Sequence, residues 1–240
     1  LEAVRSHFPR AQIHWLVEEA ASQILQDHPA LEHILISRRK SWQGQFRSGR
    51  SRLDILREAC RFTSELRRQD YDLLIDLQGL LKSGMWTGLA KARKKIGMSG
   101  GREGSALFLS ERPVPVNYDR HAVERYLSLA QYLGCPTDGF HGRIPVGPPQ
   151  VKGVQEILRV RGVTKRSFVV FSPMAKWETK LWSKKRFAAL GDRIQDALGL
   201  RVVLTGSGAD RAEVGEIEGR MKTKPVNLAG QLTLKELAVL

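Results

Sequence analysis

Short apolar runs of strand length alternate with amphipathic helical stretches along almost the whole chain, and that rhythm admits few folds. Strand-like runs at residues 13–17, 33–37, 72–77 and 95–98 are separated by helical patterns near 19–26, 53–69 and 81–92. A further helix is predicted at 119–133, ending at Gly134 with Pro136 just beyond. Glycine there tolerates a left-handed cap, and proline cannot continue the helical ladder. Proline and glycine then crowd the stretch from Cys135-Pro136-Thr137-Asp138-Gly139 to Pro145-Val146-Gly147-Pro148-Pro149, which predicts a linker over about 136–150. The rhythm resumes with helix 151–161, strand 168–171, helix 184–198, strand 201–205, helix 210–221 and strand 226–228. Such a repeat builds parallel sheets covered by helices. The expected fold is therefore α/β with two lobes, residues 1–145 and 150–240, and a cleft between them that would suit a ligand. Leu1, Val4 and Phe8 open inside one helical pattern, and Leu234, Leu237 and Leu240 close inside another. Both ends are expected to be cut from a longer protein, leaving part of each sheet with an unpaired edge.

The charge balance narrows the partner. Lys and Arg outnumber Asp and Glu by 39 to 25, a net charge of +14, so the partner is expected to be anionic. Nucleic acid, a phosphorylated small molecule and an acidic membrane surface all meet that description. No helix-turn-helix, RNA-binding sheet signature or zinc knuckle supports the first of these. The two cysteines, Cys60 and Cys135, have neither disulfide-framework nor metal-ligand spacing. No apolar run approaches the ~20 residues needed to span a bilayer.

Five segments could carry chemistry. Ser172-Pro173-Met174-Ala175-Lys176-Trp177-Glu178-Thr179-Lys180-Leu181-Trp182-Ser183 joins an apolar strand to a helix start. In an open α/β sheet ligands gather at the carboxyl ends of strands, and two lysines beside a helix N-terminus suit a diphosphate. The alternative is a basic surface loop whose tryptophans plug the strand–helix joint. Thr205-Gly206-Ser207-Gly208-Ala209-Asp210 also closes a strand and opens a helix. A nucleotide could lie over it with Glu213 reaching a ribose hydroxyl, or Asp210 could act simply as an N-cap. Asp72-Leu73-Leu74-Ile75-Asp76-Leu77-Gln78-Gly79-Leu80-Leu81-Lys82-Ser83 reads as a buried strand ending in polar groups. Gln78, Lys82 and Ser83 could face a sugar or phosphate; otherwise Asp76 caps a helix and Lys82 is solvated. From Arg38 to Arg68 ten Lys or Arg stand against Asp54, Glu58 and Glu65, which favours an anion or membrane surface over a merely solvated helix face. His121, at a helix start, could be a base or could pack between lobes.

Together these segments resemble the ADP-heptose:lipopolysaccharide heptosyltransferases of glycosyltransferase family 9. The matching pieces are Trp15-Leu16-Val17-Glu18-Glu19, Tyr71-Asp72 through Gln78-Gly79-Leu80 with Lys82-Ser83, His121-Ala122-Val123-Glu124-Arg125, and Lys180-Leu181-Trp182. Arg38-Arg39-Lys40 with Trp42, and Arg102 in Gly101-Arg102-Glu103, are most similar to the subtype that adds the first heptose to Kdo on lipid A, while the loop at Ala175-Lys176-Trp177 looks more like the wider family.

The resemblance implies a GT-B fold of two Rossmann-like lobes facing a cleft, the first for the acceptor and the second for the donor. Carried onto this sequence, it implies a contact from Lys180 to the donor's phosphates, and the two strand-end loops add Ser172, Lys176, Thr179, Thr205, Gly206 and Glu213 as candidate donor contacts. Acceptor contacts would come from Arg38, Arg39, Lys40, Gln78, Lys82, Arg102, Arg120 and His121. Such enzymes invert the anomeric centre without a metal or resident cofactor, using a carboxylate base and cationic stabilisation of the leaving ADP. The implied partners are ADP-heptose, Kdo-lipid A and the anionic inner leaflet, with no nucleic acid and no protein partner. The implied place is the cytoplasmic face of the inner membrane of a Gram-negative type cell. The family's base, an Asp in a glycine-containing loop, would precede Leu1, and its Asp-Thr-Gly and His segment would follow Leu240. The resemblance therefore leaves the catalytic residues unassigned, with the base expected before Leu1, and residues 1–240 alone are expected to be inactive.

Overall fold

The computed structural model describes residues 1–47, 51–139, 142–164 and 167–240. Arg50 of the basic stretch, and Phe140 and His141 of the predicted linker, lie outside the described residues. The chain divides into two compact units, residues 1–22 with 27–143, and residues 23–26 with 144–240.

The first unit runs α1 (Glu2–His7), β1 (His14–Glu18), α2 (Ser22–Leu25), β2 (His33–Ser37), α3 (Arg39–Arg47), α4 (Arg52–Leu66), β3 (Asp70–Asp76), α5 (Leu81–Leu89), β4 (Lys91–Gly97) and α6 (Ala122–Tyr132), with most of α2 grouping with the second unit. β1 and β2 pair in parallel, His14 opposite His33, and β3 and β4 pair in parallel, Asp70 opposite Lys91. β3 shows why its central run, Leu73 to Ile75, is apolar at every position. Leu73 and Ile75 pack on a core of Ile96, Met98, Val114 and Leu129. Leu74 packs on a different core, formed by Leu35, Trp42, Phe62, Leu66 and Ala90. Alternate residues of a strand point to opposite faces, so a sheet covered on both sides needs apolar residues at every position.

The second unit runs α7 (Pro148–Val160), β5 (Phe168–Phe171), α8 (Lys184–Leu198), β6 (Arg201–Leu204), α9 (Arg211–Arg220), β7 (Val226–Asn227) and α10 (Leu234–Val239). Its strands form a parallel sheet in the order β5-β6-β7. Central β6 again serves two faces. Val202 and Leu204 meet α8 and α9 through Ala188, Val214 and Ile217, while Val203 meets Val163, Val226 and Leu228.

Most elements differ from the predicted ranges by one to four residues, and three differences have a clear physical reason. α3 is a helix that the apolar pattern does not announce, anchored by Trp42, which is 9% exposed. β4 begins at Lys91 rather than residue 95, because its charged first half pairs across the ladder, Lys91 with Asp70 (3.7 Å) and Arg93 with Asp72 (3.5 Å). Pro148 and Pro149, read as linker, occupy the first turn of α7 behind Gly147. Proline fits there because its missing N–H has no intrahelical partner to lose. No helix among the described residues is long and apolar enough to cross a membrane.

Candidate functional site

In the second unit the polar ends of β5 and β6 meet. Ser172 Oγ lies 2.9 Å from Thr205 Oγ1, and buried Thr205 donates to the Phe171 carbonyl at 3.0 Å. Thr205 is thus a tie between strand ends, and only the exposed Ser172 offers its hydroxyl outward. The loop from Ala175 to Ser183 is exposed, with Glu178–Lys180 forming one 3-10 turn. Lys176 Nζ sits 5.2 Å from the centre of the Trp177 ring. Trp182 packs edge-on against Phe187, ring centres 5.0 Å apart, so this tryptophan does help to plug the joint. The Thr179 and Lys180 side chains make no hydrogen bond or ion pair with a described residue.

α8 begins directly after this loop, and its first turn is arranged against the usual preference. Ser183 makes no side-chain cap, and the turn holds Lys184, Lys185 and Arg186 with no acid. Positive charge at a helix N-terminus opposes the helix dipole, and uncapped N–H groups there want an acceptor. Part of that charge is met internally. Lys184 Nζ contacts the Glu213 carboxylate and lies 3.1 Å from Glu216 Oε1, and these carboxylates raise its pKa. Glu213, predicted to reach a ribose, is thereby engaged. Lys176, Lys180, Lys185 and Arg186 are left exposed around uncapped N–H groups, an arrangement that can hold a diphosphate.

Gly206 shapes the floor beside it. A Cβ there would come within 3.1 Å of Asp210 and 3.2 Å of Val214, and its carbonyl accepts from Gly230 N at 2.8 Å. Asp210 does not cap α9. Its carboxylate turns back to accept from Ser207 N (2.7 Å) and Ser207 Oγ (2.6 Å), closing the preceding turn.

In the first unit the carboxyl end of β3 is organised by Asp76. Its buried carboxylate accepts from Gln78 N (2.9 Å), Gly79 N (3.1 Å) and Ser83 Oγ (2.9 Å). Ser83 Oγ also accepts from Leu80 N at 3.1 Å, so Ser83 belongs to the turn and is not presented to a ligand. Gly79 has φ +62°, and its carbonyl takes the Arg102 N–H at 2.8 Å. That bond brings the turn carrying Gln78 and Lys82 beside the loop carrying Arg102. Gln78 and Arg102 are exposed and Lys82 half-buried.

The remaining predicted acceptor residues fall into two groups. Arg38 pairs with Glu19 at 3.0 Å, and Arg39 reaches Glu18 Oε1 through Nε (3.3 Å) and Nη2 (3.2 Å), while Lys40 is exposed at the start of α3. Trp42 points inward and gives its indole N–H to Glu58 at 3.0 Å, so it is a core residue and not a recognition residue. His121 is exposed and caps α6, its Nδ1 accepting from Val123 N at 3.3 Å; Arg120 lies 3.7 Å from Glu124. The sequence reading passed over Tyr118 and Arg125. The Arg125 guanidinium lies 4.8 Å from the centre of the Tyr118 ring, whose hydroxyl donates to the Ser99 carbonyl at 2.6 Å. Arg125 was legible, since it closes the quoted motif beginning at His121; Tyr118 carried no periodic signal.

Comparison with known proteins agrees with this architecture. The chain is 29% identical over 226 residues to lipopolysaccharide heptosyltransferase 1 of Pseudomonas aeruginosa, covering 91% of this chain and 59% of that protein. Its fold matches a family 9 glycosyl transferase from Veillonella parvula with a TM-score of 0.76 at 21% identity, over 99% of this chain and 66% of that one. It matches Escherichia coli heptosyltransferase WaaC, solved with ADP, with a TM-score of 0.71 at 24% identity, over 99% and 71% of the two chains. The chain thus spans about six tenths of the Pseudomonas protein's length. The family model described as glycosyltransferase family 9 (heptosyltransferase) matches residues 59–240, so the chain belongs to that family.

Proposed function

We propose that the whole protein is a GT-B, inverting, metal-independent heptosyltransferase that moves L-glycero-D-manno-heptose from ADP-heptose to Kdo of the lipopolysaccharide inner core. The observation that carries the donor half is the β5–α8 junction. Family membership extends across it, and it sets exposed Lys176 and Lys180 beside a basic, uncapped helix N-terminus. The similar WaaC was solved with ADP, a ligand whose diphosphate fits that chemistry.

In this reading Lys180 and the first N–H groups of α8 take the donor's diphosphate, and Ser172 and Thr179 contribute hydroxyls. As the glycosidic bond to ADP breaks, negative charge grows on the leaving phosphate, where fixed cations and N–H dipoles stabilise it most. The attacking hydroxyl of the acceptor loses its proton to a carboxylate base, proposed to lie outside residues 1–240. The acceptor, being anionic, is held by the first unit through Gln78, Lys82, Arg102, Lys40 and the arginine N–H groups that Glu18 and Glu19 leave free. Kdo-lipid A is favoured by Arg38, Arg39, Lys40 and Arg102; Trp42, being core, carries no weight in that choice.

The test is ADP release from ADP-heptose by the full-length protein, with and without Kdo-lipid A. Release dependent on that acceptor is the expected result. Release only with a heptose-bearing acceptor would move the protein to another subtype. No release with any core acceptor would overturn the reading.

A further inference from the structure

The first turn of α8 holds one cation that the diphosphate reading does not use. Lys185 and Arg186 are exposed, whereas Lys184 is half-buried and reaches across to α9. There its ammonium contacts Glu213 Oε2 and lies 3.1 Å from Glu216 Oε1. A lysine at a helix start works against the helix dipole, so its charge is met by the neighbouring helix and not by its own. The two acids are not equivalent. Glu216 has a second cation, Arg220 Nη2 at 3.9 Å, while Glu213 has Lys184 alone among the described residues. Glu213 stands in the first turn of α9, next to Val214, which lies 3.2 Å from where a Cβ on Gly206 would be. The Lys184–Glu213 pair therefore joins two helix starts beside the ends of β5 and β6, which Ser172 and Thr205 already tie together. It occupies one carboxylate oxygen of Glu213. The other, Oε1, makes no hydrogen bond or ion pair with a described residue.

We propose that Lys184 is a positioning residue. It holds Glu213 in the pose from which Oε1 accepts a hydroxyl of the donor's ribose, so that recognition of the nucleoside runs through the Lys184–Glu213 pair. The proposal rests on the reading of a donor site at the β5–α8 junction. An acidic side chain beyond a strand–turn–helix is a general way to hold a ribose hydroxyl. A carboxylate has acceptor positions enough for the lysine and the sugar together. A half-buried glutamate without the lysine would have to be ordered as the ligand arrives, and the ion pair removes that entropic cost beforehand. Lys184 does not act as a phosphate ligand in this arrangement, because a phosphate reaching its ammonium would also meet the Glu213 and Glu216 carboxylates. That division leaves the diphosphate to the exposed cations of the loop and of the same helix turn.

The experiment is calorimetric titration of the full-length protein with ADP, with the two ADP analogues that each lack one ribose hydroxyl, and with inorganic pyrophosphate. The parent should prefer ADP to one of the deoxy analogues about tenfold, the usual worth of a hydrogen bond to a charged group. Lys184→Ala should lose that preference, binding ADP about tenfold more weakly while the deoxy analogue and pyrophosphate bind as they do to the parent. Glu213→Ala should behave in the same way. The double variant should lose no more than either single change, because the lysine acts through the glutamate. Lys184→Arg, which keeps the charge, should keep the preference. Circular dichroism checks the fold, and Lys184→Gln replaces Lys184→Ala if the alanine variant does not fold. A Lys184 variant that still prefers ADP as the parent does would overturn the proposal, as would a parent that binds ADP and both deoxy analogues equally. Equal losses of ADP and pyrophosphate would also overturn it, making Lys184 a phosphate ligand. No binding of ADP or pyrophosphate by the parent would instead overturn the donor site on which the proposal rests.

Discussion

Asp76 shows how one buried carboxylate can organise the end of a strand. It satisfies two backbone N–H groups and one hydroxyl that the β3–α5 turn would otherwise leave without partners. Asp76→Ala should therefore destabilise the protein by about 1–3 kcal/mol, the usual result of stranding buried donors. Chemical denaturation would show a lower midpoint, and an unchanged midpoint would contradict the assignment. Asp76 was legible as a polar residue at the strand end, offered by the sequence as a helix cap, because aspartate accepts locally from backbone N–H groups a few residues on. The pairing of Arg38 and Arg39 with Glu19 and Glu18 was not, since it joins residues about twenty positions apart that meet only after β1 and β2 align. Those pairs hold the arginines in place and leave N–H groups for an anion. Changing both to Ala should raise KM for the acceptor about tenfold with donor affinity unchanged, a loss of ~1.4 kcal/mol. Steady-state kinetics with each substrate varied would decide it.

At the scale of elements, the start of β1 forms a polar cluster that links stability to pH. His14 Nδ1 lies 2.9 Å from Tyr71 Oη, and the His14 and His33 rings are 5.5 Å apart, with His33 against Glu65. Burial, and then the His33 charge, hold the His14 pKa below the ordinary 6.5, with Glu32 opposing. Burial likewise lowers His28, whose Nδ1 accepts from Ala30 N at 3.1 Å. A histidine whose folded pKa is depressed binds fewer protons folded than unfolded, so stability falls as protons are added. Full stability should hold above about 6.5 and decline as pH drops through that value toward the folded pKa values. Glu32 and Asp192, with lowered carboxylate pKa values, act in a separate and more acidic window. Thermal melting should therefore show a lower Tm just below pH 6.5, and a double His14→Asn, His28→Asn variant should flatten that slope. A parent Tm that stays level across this range would rule out the mechanism.

The elements most legible in the sequence were those whose pattern is local. β5, β2 and α8 fall where apolar runs and helix signals place them. β4's first half was hidden, because Lys91 and Arg93 belong to a strand only through Asp70 and Asp72 across the ladder. α3 was hidden because, among its described side chains, Trp42 alone is deeply buried, too few to set a period.

On the scale of the whole molecule, charge and fold tell one story. A family 9 chain with parallel sheets in both units sets Lys176, Lys180, Lys185 and Arg186 around one helix start in the second unit. The alternation of strands and helices was enough to read the α/β class, since each element's core-facing pattern is written within it. Which cations would remain exposed was not readable, because Glu18, Glu19, Glu213 and Glu216 reach their partners only through tertiary packing. Lys180 is one of four exposed cations around that helix start, with Lys176, Lys185 and Arg186, that make no ion pair with a described residue, and it is the one that matches the family motif Lys180-Leu181-Trp182. Titration of ADP into the full-length protein and its Lys180→Ala variant tests this most directly. The account predicts saturable binding by the parent and at least a tenfold loss in the variant, ~1.4 kcal/mol or more. No binding by the parent, or equal affinity in the two, would contradict a diphosphate site at the β5–α8 junction.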